Sequence, residues 1–191
     1  MKNAKLLTIL IIGFICIGFA ACQKSSQGQG NYSVEPLTND EFAYYADNAN
    51  VFADDVLAND AKFLYVQLAY DGKAATVAND NADGICSMIE GDHHDVLDLR
   101  KNTENAADTI SEKLQLSNGA NLLVIGDDAG EQIVYEELAK MCGNIEYKNA
   151  NLESDSAYEE LYSYATESGF DAVIVANGAA AFHDRSFPFA S

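Results

Sequence analysis

The sequence predicts an α/β fold, a Rossmann-like or flavodoxin-like three-layer sandwich with a mainly parallel sheet, preceded by an N-terminal helix and a hairpin. The main evidence lies in the C-terminal half, where three short predicted strands at 121–125, 145–148 and 170–176 alternate with two segments of helical periodicity. Consecutive parallel strands need a crossover long enough to hold a helix. Such crossovers are right-handed in nearly all folds, so this alternation indicates a parallel sheet with helices packed on its faces.

The elements before this half are less regular. Residues 37–57 include a capping-box pattern at 38–41 and apolar side chains at helical spacing, which predicts one or two helices. Residues 62–69 predict a strand, and Asp71-Gly72 precedes a second run at 73–78, which is typical of a β-hairpin. A short helix is expected at 83–90 and a strand at 94–100.

A further helix is predicted over 103–116, because Ala106, Ile110 and Leu114 recur at helical spacing. The two helices of the C-terminal half begin near 129 and 154, and each ends at a glycine. All these elements belong to one predicted domain at 31–191, which is long enough to bury a core of its own.

The first 22 residues have the pattern of a secretory signal. Lys2 and Lys5 precede an apolar run at 6–20 that is short for a membrane span, and small residues precede the expected cleavage point. The alternative is a transmembrane helix that stays attached, but the polar residues directly after Cys22 argue against it.

Phe19-Ala20-Ala21-Cys22 resembles the lipobox of bacterial lipoproteins, except that phenylalanine stands where leucine is usual. The resemblance implies a signal peptide at 1–21 and a lipid, such as palmitate, on Cys22. Residues 22–30 are then a lipidated end and a polar, flexible tether. The expected location is the bacterial cell envelope, where the lipid anchors the protein to the extracytoplasmic side of a membrane, in the periplasm or on the cell surface.

The chain is strongly acidic, with a formal net charge of −19. Without the leader's two lysines, nine basic residues remain against 30 acidic ones, a charge of −21. Such a surface repels phosphate backbones and anionic headgroups, so nucleic acid is excluded as a partner and the membrane is held through the lipid. Solubility in the envelope explains the acidity; a cationic partner or a bound divalent metal is the alternative.

Two cysteines, Cys86 and Cys142, remain after the leader and the anchor are set aside. An exported protein can keep a disulfide, and a loop of this length would contribute about 4 kcal/mol on the chain-entropy model. Both cysteines have apolar neighbours, which is also the pattern of buried free thiols. The sequence leaves both interpretations open.

Acidic residues follow the first strand of the C-terminal half. Because ligands of parallel sheets bind beyond the carboxyl ends of the strands, Asp127 and Asp128 are candidate ligands of Mg2+ or Ca2+, with His183 as a candidate general base after the last strand. The alternative is that Asp128 caps the following helix and Asp127 complements its dipole. Neither GxGxxG nor GxSxG occurs, so a dinucleotide site and a serine hydrolase have no support.

Residues 79–90 match part of a calcium-loop template. Asn79, Asn81, Asp83 and Glu90 supply oxygen ligands at positions 1, 3, 5 and 12, and Gly84 takes the glycine position. An Asn/Asp/Gly turn before a helix explains the same residues without a metal.

Residues 83–100 and 122–142 weakly resemble two segments of rhodanese-type domains, namely a helix leading to a strand and a strand–loop–helix unit. Gly126 stands where that family has its catalytic cysteine, so the resemblance implies loss of sulfur transfer and assigns no catalytic residue. Taken together, the patterns favour a lipid-anchored binding or interaction module without catalysis. The alternatives are a divalent-metal-dependent, hydrolase-like enzyme and a structural envelope lipoprotein with a protein partner.

Overall fold

The computed structural model describes residues 36, 38–69, 75–101, 103–117, 119–126, 131–150 and 155–177. Strands and helices alternate along these residues. In chain order they are α1 (Asn39–Ala58), β1 (Lys62–Gln67), α2 (Ala75–Gly91), β2 (Val96–Asp98), α3 (Ala106–Leu114), β3 (Asn121–Gly126), a π-helical turn (Glu131–Tyr135) that continues into α4 (Glu136–Ala139), β4 (Asn144–Asn149), α5 (Asp155–Glu167) and β5 (Ala172–Asn177).

The five strands form one sheet in the order β2-β1-β5-β3-β4, and all four pairings are parallel. β5, the last strand in sequence, lies between β1 and β3, and its Val175 is level with Tyr65 on one side and Ile125 on the other. The predicted α/β fold with a mainly parallel sheet is confirmed.

Two hydrophobic clusters cover the two faces of the sheet. Alternate side chains of a strand point to opposite faces, so Phe63 and Tyr65 of β1 join one cluster while Leu64 and Val66 join the other. α1, α2 and α5 pack on the first face, and α3 and α4 pack on the second face. The fold is therefore a three-layer α/β/α arrangement in which the inner strands β1, β5 and β3 are largely buried.

The connections between the strands define a crevice at the carboxyl edge of the sheet. The chain leaves β1 over the first face toward β2, whereas it leaves β3 over the second face toward β4. Connections that diverge in this way mark a topological switch point, where open α/β sheets bind their ligands. Here β5 lies between the two diverging strands, so the crevice borders the ends of β1, β5 and β3.

The predicted hairpin after β1 is wrong in its second strand. Residues from Ala75 onward belong to α2, which extends to Gly91 and absorbs the short helix expected at 83–90. Ala82, Ile85 and Ile89 recur at helical spacing and are buried, and Ile85 and Ile89 pack in the first-face cluster. This tertiary packing overrides the local turn signal. Asp71 and Gly72 lie outside the described residues.

The other predicted elements are present with shifted ends. β2 is shorter than the strand expected at 94–100, and the helix expected at 129–142 consists of the π-helical turn followed by α4. α3 buries Ala106, Ile110 and Leu114 as the periodicity predicts.

Candidate functional site at the carboxyl edge of the sheet

The candidate site is the carboxyl edge beside the switch point. Gly126 ends β3 and lies level with Ala176 of β5, while Gln67 ends β1 and lies level with Asn177 of β5. The segments that carry Asp127, Asp128 and His183 therefore start from the ends of two adjacent strands. These three residues, like the predicted lipidation site Cys22, lie outside the described residues.

Two buried amides lie on the first-face side of this edge. Gln67 is 2% exposed, and its side chain accepts a hydrogen bond from the hydroxyl of Tyr65 (2.9 Å) and donates one to the carbonyl of Leu68 (3.0 Å). Asn81 in the first half of α2 is also 2% exposed and makes further polar contacts. A buried amide destabilises the fold unless it is hydrogen-bonded. The contacts of these two amides therefore fix the positions of polar groups next to the carboxyl edge.

Arg100, just beyond β2, ties the sheet to α2. Its Nε donates to Asp98 Oδ1 (2.9 Å), one Nη donates to Asp98 Oδ2 (2.7 Å) and to the carboxylate of Asp83, and the other donates to the carbonyl of Asn79 (2.8 Å). The side chain is 13% exposed. These hydrogen bonds lower the pKa of Asp98 and raise that of Arg100, since each favours the charged form.

The calcium-loop interpretation does not agree with this geometry. Asn79, Asn81, Asp83 and Glu90 all lie in α2, not in a loop. A helix rises 1.5 Å per residue, so Asn79 and Glu90 are about 16 Å apart along its axis and cannot contact one ion. Across the described residues, no group of three or more His, Cys, Asp or Glu side chains is placed to hold a metal.

Cys86 and Cys142 are free thiols on opposite faces of the sheet. The structure therefore agrees with the free-thiol interpretation and not with a bridge between them. Burial raises the pKa of the Cys86 thiol to about 12, because desolvation penalises the thiolate. At neutral pH this thiol stays protonated and is a poor nucleophile.

Polar contacts at the opposite, amino edge were not predicted from the sequence. Nε2 of His94, a side chain 7% exposed, lies 3.5 Å from Asp54 Oδ1, and Asn50 donates to Asp92 Oδ2 at 2.7 Å. Both contacts link α1 to the turn after α2. The pattern of α1 does place Asn50 and Asp54 one turn apart, but nothing in the sequence identifies their partners.

A surface cavity of about 350 Å3 lies between β4 and α5. Lys148 places its Nζ 4.5 Å from the centre of the Tyr164 ring, and the Tyr164 hydroxyl donates to Glu146 Oε2 at 2.6 Å. The cavity lies at the edge of the sheet, away from the switch point, and the sequence pattern did not indicate it.

Comparison with known proteins identifies no relative of this chain. No family model matches it, and neither a curated protein nor a solved structure does. The rhodanese-like resemblance thus stays an expectation from the sequence. Of the helices in the described part of the chain, none is both long and apolar enough to span a membrane.

Proposed function

We propose that the chain is a lipid-anchored extracytoplasmic binding module, which carries its lipid on Cys22 and binds a ligand or a protein partner without catalysis. One observation carries most of the argument: the reactive groups that the structure describes near the carboxyl edge, Arg100 and Cys86, serve to hold the fold. The guanidinium of Arg100 is engaged by Asp98, Asp83 and the α2 backbone, and the thiol of Cys86 is held protonated. Groups used in this way favour recognition over bond-breaking chemistry.

The carboxyl edge suits binding. The edge of an open parallel sheet is the usual ligand position in such folds, and a few fixed polar groups are enough to orient a ligand there. Gln67 on the β1 side and Asn81 in α2 are buried next to this edge, and the hydrogen bonds of Gln67 to Tyr65 and Leu68 fix its position there.

The leader sequence supports a lipid anchor, and the length of the tether limits the distance between the domain and the membrane. Nine residues at 22–30 span at most about 30 Å when fully extended. A domain held within that distance of a bilayer meets other envelope components at high local concentration. With a charge of −21 after loss of the leader, its surface favours partners that present basic groups over anionic lipid headgroups.

The anchor is tested by expressing the full chain in a bacterium that is fed a labelled palmitate analogue. We expect label in the chain and recovery in the membrane fraction, and loss of both in a Cys22→Ala variant. A Cys142→Ala variant is the matched control, because it also removes one thiol but should keep the label. Equal labelling of all three chains, or none in any of them, would contradict the proposed anchor.

Binding without catalysis is tested by the melting temperature of the full chain after chelation, with Ca2+, Mg2+, Mn2+ or Zn2+ added singly. A ligand at about 100 times its Kd stabilises the native state by about 2.7 kcal/mol. We expect no selective rise. A rise with one ion that disappears in Asp127→Asn or Asp128→Asn, but persists in the exposed control Glu112→Gln, would contradict the proposal and favour the metal-dependent enzyme.

A further inference from the structure

β4 is the outermost strand on one side of the sheet, and its outer edge faces away from the other strands. In the part of the chain that the structure describes, β4 pairs with β3 alone, and its six residues are all exposed or half-buried. A strand edge of this length is a template for pairing with another strand, and proteins usually shorten or cover such edges. β2, at the other side of the sheet, has three residues.

The direction of the backbone groups on β4 follows from one hydrogen bond. The N–H of Ala150 donates inward to the carbonyl of Gly126 at 2.8 Å. In a parallel pair, successive residues direct their backbone groups alternately toward and away from the neighbouring strand. The N–H and C=O groups of Ile145, Tyr147 and Asn149 therefore point to the outer edge.

Two opposite charges stand two positions apart on this strand. Glu146 and Lys148 point to the same face of the sheet, where both contact Tyr164. Because side chains directly opposite each other on antiparallel strands interact most strongly, the pairing register decides whether these charges attract or repel.

We propose that a second copy of this chain pairs with β4 in antiparallel orientation, about a twofold axis at Tyr147. In this register each Glu146 faces the second copy's Lys148, which gives two opposite-charge pairs. The outward backbone groups of residues 145, 147 and 149 then meet their counterparts and extend the sheet across both copies. Tyr147 and Asn149 have contacts within the single chain, and pairing adds hydrogen bonds to these contacts or replaces them.

The positions of Glu146 and Lys148 favour this register, and they favour a second copy of the same chain as the partner. A shift that centres the axis on Glu146 would place two carboxylates opposite each other, and a shift to Lys148 would do the same with two ammonium groups. Only the axis at Tyr147 both aligns the outward backbone groups and pairs opposite charges. The net charge of −19 on each chain opposes association at long range, so the pairing is weak at low salt and strengthens as salt screens this repulsion.

The register is tested by disulfide trapping in cells that express two tagged forms of the full chain, one with Glu146→Cys and one with Lys148→Cys. Directly opposite positions in antiparallel strands lie within the Cα separation that a disulfide needs. We expect mild oxidation to link the two forms to each other, well above the background of chains with unchanged β4. Either form alone should stay near that background.

Two results would overturn the proposal. One is equal cross-linking in cells that express both forms and in cells that express one form alone, which would show that the β4 strands do not pair in a single register. The other is cross-linking of either form mainly to a different protein, which would assign the edge to a foreign strand.

Charge reversal gives an independent test by sedimentation of the purified full chain in mild detergent. Glu146→Lys or Lys148→Glu alone places like charges opposite each other, and we expect the dimer to weaken roughly tenfold. The double variant restores opposite pairs and should restore the dimer. Circular dichroism controls for folding. A dimer that is equally stable in all four chains would contradict the proposed interface, as would a parent chain that remains monomeric at physiological salt.

Discussion

The two edge strands of the sheet are secured in different ways. β2 has three residues, and the side chain of Arg100 fastens its end to α2 through Asp98, Asp83 and a backbone carbonyl. β4 has six residues in register with β3. The hydrogen bond from Tyr147 to the carbonyl of Gly126 and the contacts of Glu146 and Lys148 with Tyr164 add to its ladder. A short strand has few backbone hydrogen bonds, so it depends more on side chains, whereas a longer strand is held mainly by its own ladder.

The largest effect is expected from Arg100→Ala. Removal of the guanidinium leaves the carboxylate of Asp83 without this donor and leaves Asp98 with the backbone N–H of residue 100. Breaking a buried ion pair typically costs 3–5 kcal/mol. Because both carboxylates are partly exposed, we expect a loss of about 2 kcal/mol in urea-induced unfolding. Lys140→Ala is the matched control, since Lys140 pairs with Glu137 on an exposed surface and should cost less than about 0.5 kcal/mol. Equal losses would show that β2 does not depend on Arg100.

The contact between Arg100 and Asp98 also predicts that acid weakens the β2 edge of the sheet. The Arg100 hydrogen bonds lower the folded pKa of Asp98 below its ordinary value of 3.8. Its contribution is therefore present above about pH 4 and is lost as the pH falls through the folded pKa. Unfolding measured from pH 7 to pH 2 should show a difference between the parent chain and Asp98→Asn that is largest near neutral pH and shrinks in acid. A difference that stays constant with pH would contradict this assignment.

A smaller effect is expected at the β4 edge from Tyr147→Phe. This change removes the hydrogen bond to Gly126, whose carbonyl also accepts from Ala150 at 2.8 Å. Since the acceptor keeps one partner, the loss should not exceed about 1 kcal/mol by urea unfolding. A loss as large as that of Arg100→Ala would mean that β4 also depends on side-chain contacts.

Thiol labelling compares the region near Arg100, which contains Cys86, with the region before β4, which contains Cys142. It does so without changing stability. Cys86 packs in the first-face cluster near Arg100 with a pKa of about 12, whereas Cys142 is half-buried just before β4. Thiolate content and access both control alkylation. Peptide mass spectrometry after brief iodoacetamide treatment at pH 8 should find Cys142 labelled first and Cys86 labelled only in unfolded chain. Protection of both until a reductant is added would instead indicate a disulfide.

The sequence predicted the C-terminal half better than the region after β1, and the reason is physical. β3 and β5 are short apolar runs, β4 alternates polar and apolar residues, and helices separate the three strands, so local pattern and tertiary fold agree. The segment from Ala75 contains alanine, threonine and valine, which suit either a strand or a helix. Burial of Ile85 and Ile89 in the first-face cluster decided for the helix.

The sequence predicted the location of the candidate site but not the contacts among its side chains. The rule for parallel sheets places it at the carboxyl edge, and β3 and β5 do end side by side there. The roles of Asn79 and Asp83 could not be derived, because their partner Arg100 lies about 20 residues away and meets them only through the β1–α2–β2 crossover.

By itself, the sequence determined the fold class, the acidic composition and the resemblance to a lipoprotein leader, because periodicity, composition and short motifs are local properties. The tertiary structure decided the position of β5 between β1 and β3, the free thiols on opposite faces of the sheet, and the use of Arg100 as a clamp. These features depend on contacts between residues far apart in the chain, and local patterns do not record which distant partner a side chain will meet.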